Sequence, residues 1–176
     1  MTKTASTIVV ISIWFFATLV ALPALINSQA ITYTFAHNEQ RTICTLVWSD
    51  GFSGKSKSDN LYNIFLFVVT YVVPMGCMSV TYTLMARVLW GSSAIGEMSR
   101  AQRVAVKSKQ KVVPMLITVT VVFGICWLPY HLYFLYIYYD IRILAHKFVQ
   151  HVYLSFYFLA MLNSFLNPVI YCLLNQ

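Results

Sequence analysis

Charge is what this sequence has least of: Asp, Glu, Lys and Arg make up 10% of its 176 residues, and only five of them are acids. Soluble domains carry about a quarter, so a chain with a water-facing surface on every side is excluded. Glycine is scarce too, at six residues, and no glycine-rich loop is present to cradle a phosphate. His131, His146 and His151 lack metal-ligand spacing, and no pair of acids lies within an apolar stretch. Nothing supports catalysis, so no enzyme, metal or cofactor is expected. Internal repeats with paired broken helices, the mark of many transporters, are also missing.

Apolar length is what the sequence does have. Four segments, at about 8–26, 61–89, 112–139 and 148–174, are long enough to cross a bilayer, which takes roughly 20 apolar residues. The expected fold class is an all-α membrane protein with four transmembrane helices. Lys3 and the run behind it resemble a secretory signal, but the run is long and holds Trp14 and Pro23, which favours a true membrane helix.

The net charge of +7 invites a nucleic-acid reading, but its distribution argues against one. Arg87, Arg100, Arg103, Lys107, Lys109 and Lys111 surround the connection between the second and third segments, against Glu97 alone. Arg41, Lys55 and Lys57 in the first connection are balanced by Glu39, Asp50 and Asp59. Excess Lys and Arg mark the cytoplasmic side. The 90–111 loop is therefore expected inside with both termini, and the 27–60 and 140–147 loops outside. Cys77, Cys126 and Cys172 lie in apolar helices and read as packing residues. Cys44, alone in the outer loop, needs a partner from another chain or from sequence outside this one.

Prolines interrupt all four segments, at positions where a soluble helix would rarely tolerate them. Proline lacks an N–H and clashes with the carbonyl four residues back, so Pro74 frees the carbonyl of Thr70, Pro129 that of Ile125 and Pro168 that of Ser164. Membrane helices accept this where neighbours re-satisfy the freed group. Phe123, Trp127, Tyr130, His131, Phe134 and Tyr138 share one face of the third segment. An aromatic stripe is ordinarily bundle packing. Here it straddles Pro129 and includes His131, an ionisable residue of a kind that at membrane depth tends to face cavities. Tyr153, Tyr157, Ala160, Ser164, Asn167 and Tyr171 form a similar stripe in the fourth segment, with Asn163 beside it. Interhelical hydrogen bonds would account for the two asparagines, and so would a switch next to Pro168. The kinked helices suggest a moving part of a receptor or transporter.

Phe123, Cys126, Trp127 and Pro129, as Phe-x-x-Cys-Trp-x-Pro, resemble the sixth-helix signature of rhodopsin-like G protein-coupled receptors, and Asn167-Pro168-Val169-Ile170-Tyr171 their seventh-helix Asn-Pro-x-x-Tyr. Trp14 and Pro23 look like the fourth helix, Pro74 and Tyr82 like the fifth. The run 126–131, the runs 148–154 and 159–161, the inner-loop residues 89–97 and 106–113, and Arg41 to Cys44 with Trp48 are similar to tachykinin-type neuropeptide receptors, the inner loop to their invertebrate members. The resemblance covers helices four to seven, essentially the whole chain. Ala24, Pro114 and Phe158 depart from the family's usual residues.

What the resemblance implies is specific. An amidated neuropeptide would enter from outside and contact Asn63, Tyr130, His131, Phe134, Tyr153 and Tyr157. The third segment would bend at Pro129, with Trp127 and Phe123 repacking. Asn163, Asn167, Pro168, Tyr171, Tyr82 and Pro74 would complete the switch, and a heterotrimeric G protein would dock at a rim carrying Lys107, Lys109 and Lys111. Cys44 would pair with a cysteine on a third helix, and the outer loop would form a hairpin. The chain itself, residues 1–176, reads as part of a seven-transmembrane receptor of the plasma membrane, surrounded by membrane lipid and without its first three helices. The alternative is a four-helix product that pairs with a full-length receptor, as a receptor dimer that does not signal.

Overall fold

A computed structural model of the chain describes residues 2–34, 40–91, 100–146 and 148–174. It is mostly helical, with four helical spans apolar and long enough to cross a membrane: Lys3–Asn27, Lys57–Trp90, Val112–Tyr139 and Val149–Leu173. Large apolar side chains such as Ile11, Trp14, Leu25, Val80, Ile125 and Phe165 are exposed along all four, as expected of helices whose surroundings are hydrocarbon. The chain divides into two compact units, Met1–Leu66 and Phe67–Gln176.

The first unit begins with α1 (Lys3–Asn27), capped by Thr2, whose side chain accepts from the Ala5 N–H. Ser6, Thr7, Ser12 and Thr18 donate their hydroxyls to carbonyls four residues back in the chain. That lets polar side chains sit on an apolar helix without a free donor. Past Pro23, the Asn27 amide donates to the Pro23 carbonyl at 2.7 Å, and the helix ends. Strand β1 (Ser28–Thr34) then pairs antiparallel with β2 (Gln40–Trp48), from Ser28 opposite Leu46 to Thr34 opposite Gln40. A short β3 (Gly51–Phe52) folds back on β2. Gly51 and Gly54 take positive φ, 139° and 84°, which residues with a Cβ seldom adopt.

Helix α2 (Lys57–Phe67) starts beneath this sheet. The Ser56 hydroxyl accepts from the Asp59 N–H and donates to Asp50, whose other oxygen accepts from the Ser58 N–H. These bonds draw the Asp50 pKa down to about 2, the Ser56 bond most. The Asp59 carboxylate accepts from Trp48 Nε1 and Ser53 Oγ. Trp48 packs on Tyr62 at 5.5 Å between ring centroids, and the Tyr62 hydroxyl donates to the Val20 carbonyl of α1 at 3.0 Å.

In the second unit a π-helical segment, Val68–Val72, leads into α3 (Val73–Gly91). Pro74 follows at once. With no N–H to offer Thr70, the ladder widens, and the Val73 N–H reaches the Val68 carbonyl five residues back. Helix α4 (Arg100–Tyr139) runs through Pro114 and Pro129, a 3₁₀ turn spans Ile141–Ala145, and α5 (Val149–Leu174) contains Pro168. Asp140 caps the turn by accepting from the Arg142 N–H and is paired with the Arg142 side chain at 3.0 Å. That bond lowers the Asp140 pKa and raises that of Arg142.

Helical structure extends beyond the apolar limits. The 90–111 loop is shorter than hydropathy suggests, because α4 begins at Arg100; Ala, Gln, Arg and Lys there are good helix formers that an apolar-length criterion cannot see. Helix α2 likewise starts at Lys57, inside the stretch read as the first loop. The cysteine reading also needs correction. Cys126 is buried, but Cys77 and Cys172 are exposed, on helix faces that meet no neighbour among the described residues closely enough to cover them.

Candidate functional site

The second unit is organised around a chain of rings. Helix α4 presents Phe123, Trp127, Tyr130, His131 and Phe134 at steps of three and four residues, as its period requires. Trp127 lies 6.2 Å from Phe123, 6.0 Å from Tyr130 and 6.1 Å from His131 between ring centroids. Tyr130 packs edge-on against Phe134 at 5.1 Å. Helix α5 continues the chain: Phe134 meets Tyr153 at 6.1 Å, and Tyr153 meets Tyr157 at 6.2 Å. Tyr133, on the adjoining face, also contacts Tyr153 and Phe156. Such ring pairs prefer edge-to-face or offset geometry and add about 0.5–1.5 kcal/mol each beyond area burial.

His131 is the polar centre of the cluster and only 8% exposed. Phe67 and Tyr71 flank its ring at 5.6 and 5.7 Å, and Thr70 Oγ1 stands 3.5 Å from Nε2. Tyr71 is stacked between Phe67 and Phe123, and its hydroxyl donates to the Gly124 carbonyl at 3.1 Å. A side chain on Gly124 would place its Cβ 3.0 Å from Met75 Cε and 3.6 Å from the Tyr71 hydroxyl. The one tight contact is with the flexible tip of Met75, and the Tyr71 hydroxyl stands at an ordinary van der Waals distance. Farther along, Thr120 donates to the Leu116 carbonyl and approaches Met78 Sδ at 3.6 Å.

The structure thus brings together Phe123, Trp127, Tyr130, His131, Phe134, Tyr153 and Tyr157, with Pro129 inside the same helix. Other expected residues are not members of this ring cluster. Asn63 belongs to the first unit, where its amide donates to the Asp59 carbonyl. Cys44 is a free, exposed thiol opposite Ala30 in the hairpin. Among the described residues no hydrogen bond or ring contact joins Tyr82 to Tyr171. Asn163 Oδ1 and Asn167 Oδ1, like Trp127 Nε1, are buried without a hydrogen-bond partner among the described residues. Lys107, Lys109 and Lys111 lie in the first turns of α4; their side chains are outside the description. No group of His, Cys, Asp or Glu among the described residues could hold a metal ion.

Sequence reading passed over Phe67, Thr70 and Tyr71. The signal is present, since 67, 70, 71 and 74 share a helical face, but of these only Pro74 stands out by motif, as a helix break and a switch residue. A crevice of about 960 Å³ opens between the adjoining ends of α4 and α5, lined by residues that include Pro129, Leu132, Tyr133, Tyr136, His146 and Phe156. None of the expected peptide-contact residues lines it.

Residues 1–171 match the family described as 7 transmembrane receptor (rhodopsin family). The chain is 43% identical to the tachykinin-like peptides receptor 86C of Drosophila melanogaster over 169 residues, 96% of this chain and 34% of that protein. It is 39% identical to the tachykinin-like peptides receptor 99D of the same organism over 176 residues, 100% of this chain and 34% of that one. Identity to the neuromedin-K receptor of Homo sapiens is 36%, over 100% of this chain and 36% of the relative. The chain therefore spans about a third of the length of these curated relatives.

Proposed function

Because the chain belongs to the rhodopsin family of seven-transmembrane receptors, a family of membrane receptors and not of enzymes, we propose that it supplies helices four to seven of a plasma-membrane receptor for an amidated, tachykinin-like peptide. The observation that carries the reading is the continuity of the ring cluster. Tyr153, Phe134 and Tyr130 lead through Trp127 and His131 to Phe123, on both sides of Pro129 in one helix. A peptide resting on one end of such a chain reaches the hinge through packed side chains. The names of the relatives, which speak of tachykinin-like peptides, support the ligand class.

In this reading the peptide contacts Tyr130, His131, Phe134, Tyr153 and Tyr157, with Asn63 as a further contact. Helix α4 bends at Pro129, and Trp127 and Phe123 repack. Asn163 and Asn167 offer buried acceptors to whatever donor a neighbouring helix brings, and Pro168, Tyr171, Tyr82 and Pro74 complete the switch. The cytoplasmic ends part, and a heterotrimeric G protein docks beside Lys107, Lys109 and Lys111. Cys44 forms its disulfide with a cysteine of the third helix. The peptide drives this only by the difference in its affinity for the two states.

The test is to express the intact receptor at the cell surface and measure G protein signalling with synthetic tachykinin-like peptides, each as C-terminal amide and free acid. A response to an amide at concentrations where its acid is silent is the expected result. A surface-expressed receptor that answers no amidated peptide overturns the reading.

A further inference from the structure

The hydrogen bond from Tyr71 to Gly124 lies where α4 is least able to hold itself. A helical carbonyl normally accepts from the N–H four residues on. Pro129 has none, so Ile125 loses its donor, and the proline ring crowds that carbonyl. Gly124 is the residue just before. Its carbonyl has a second lone pair, which the Tyr71 hydroxyl occupies at 3.1 Å. The donor comes from the π-helical segment Val68–Val72, and such segments are frequently found at functional sites. Two proline-altered stretches therefore meet at one bond.

We propose that the Tyr71 hydroxyl is a latch on the Pro129 hinge. By holding the Gly124 carbonyl it favours the arrangement in which α4 lies closed against segment 68–72, and its release belongs to the signalling step. The proposal rests on the receptor reading above, where the bend in α4 carries the signal. Tyr71 is a positioning residue in this scheme: its ring touches His131 at 5.7 Å and Phe123 at 6.2 Å, so a peptide that shifts His131 also shifts the latch. Gly124 is the other half of the device: a Cβ there would press on the flexible tip of Met75 at 3.0 Å, beside the Tyr71 hydroxyl at 3.6 Å.

Tyr71→Phe in the intact receptor removes the hydroxyl and keeps the ring between Phe67 and Phe123. At matched surface expression, signalling without peptide should rise by roughly three- to tenfold, the range of one hydrogen bond. Affinity for a synthetic amidated tachykinin-like peptide should rise with it, because a ligand that prefers the open state no longer works against the latch. A merely structural role would not raise affinity. Basal signalling and affinity that both stay unchanged, or both fall, overturn the latch. Hydrogen exchange gives an arm that needs no ligand: the amides of 125–128 and 130 should exchange faster in Tyr71→Phe, and equal exchange overturns the proposal. If the unsubstituted receptor answers no amidated peptide, the functional reading fails, and the exchange arm still decides the latch.

Discussion

Trp48 Nε1 donates to Asp59 Oδ1 at 3.0 Å, tying the end of β2 to the first turn of α2. Asp59 is only 4% exposed, and its other oxygen accepts from Ser53 at 2.8 Å. The hairpin is therefore clamped to the helix by a buried carboxylate. Asp59→Ala would leave the half-buried Trp48 indole N–H and Ser53 hydroxyl without their acceptor, each worth up to about 1–3 kcal/mol where water cannot replace it. Trp48→Phe removes donor and ring edge together and should cost less. Thermal denaturation in detergent should rank Asp59→Ala below Trp48→Phe. The reverse order would mean that ring packing on Tyr62, and not the carboxylate, holds the clamp.

Asp50 adds a pH dependence at the same turn. Its carboxylate accepts from Ser56 and from the Ser58 N–H, which hold its pKa at about 2, below the ordinary value of 3.8. A depressed folded pKa stabilises while the group is charged. The contribution is complete above about 4 and is lost as pH falls through about 2. Hydrogen exchange of residues 50–58 should stay slow from neutral pH to about 4, once the intrinsic pH dependence of exchange is removed, and quicken below it. Asp50→Asn should abolish that step. Because Asp50 is exposed to solvent, salt should reduce the effect.

The four spans were legible because apolar length is a strong signal, and the stripe from Phe123 to Phe134 because its period matches a helix. The start of α4 at Arg100 was not legible from hydropathy, since a helix that leaves the membrane becomes polar while keeping its backbone. Tyr71 was hidden for a different reason. Residues 67, 70, 71 and 74 share a helical face, but the five-residue bonding over 68–72 and the reach of the hydroxyl to the Gly124 carbonyl cannot be read from residue type. The expected approach of Tyr82 to Tyr171 has no counterpart among the described contacts. A motif names residues that a moving protein brings together, and one arrangement need not hold them in contact.

Gly124 offers a steric probe that needs no ligand. Its Cβ position lies 3.0 Å from Met75 Cε, a flexible tip, so Gly124→Ala should be accommodated by a small shift of that side chain. Gly124→Leu has no such room and should force the segments apart at about 1–3 kcal/mol, the usual cost of overpacking. Unfolding in detergent should separate the two variants. If Leu is as stable as Ala, the close approach at Gly124 is not a constraint on the packing.

Trp127 and Pro129 test whether the ring chain transmits or merely packs. Trp127 Nε1 has no hydrogen-bond partner among the described residues, so Trp127→Phe forfeits none of the described bonds and keeps an aromatic face for His131 and Tyr130. What it changes is the fit against Phe123 when α4 bends. Pro129→Ala restores an N–H to the Ile125 carbonyl and stiffens the hinge. If the bend carries the signal, each substitution should lower the maximal response to an amidated peptide by roughly tenfold while peptide affinity falls by no more than about threefold, since the two states differ more in α4 than in the contacts that hold the ligand. Radioligand binding and G protein activation on the same membranes measure both. Equal losses of binding and response would place Trp127 and Pro129 in the architecture of the pocket and remove them from the switch.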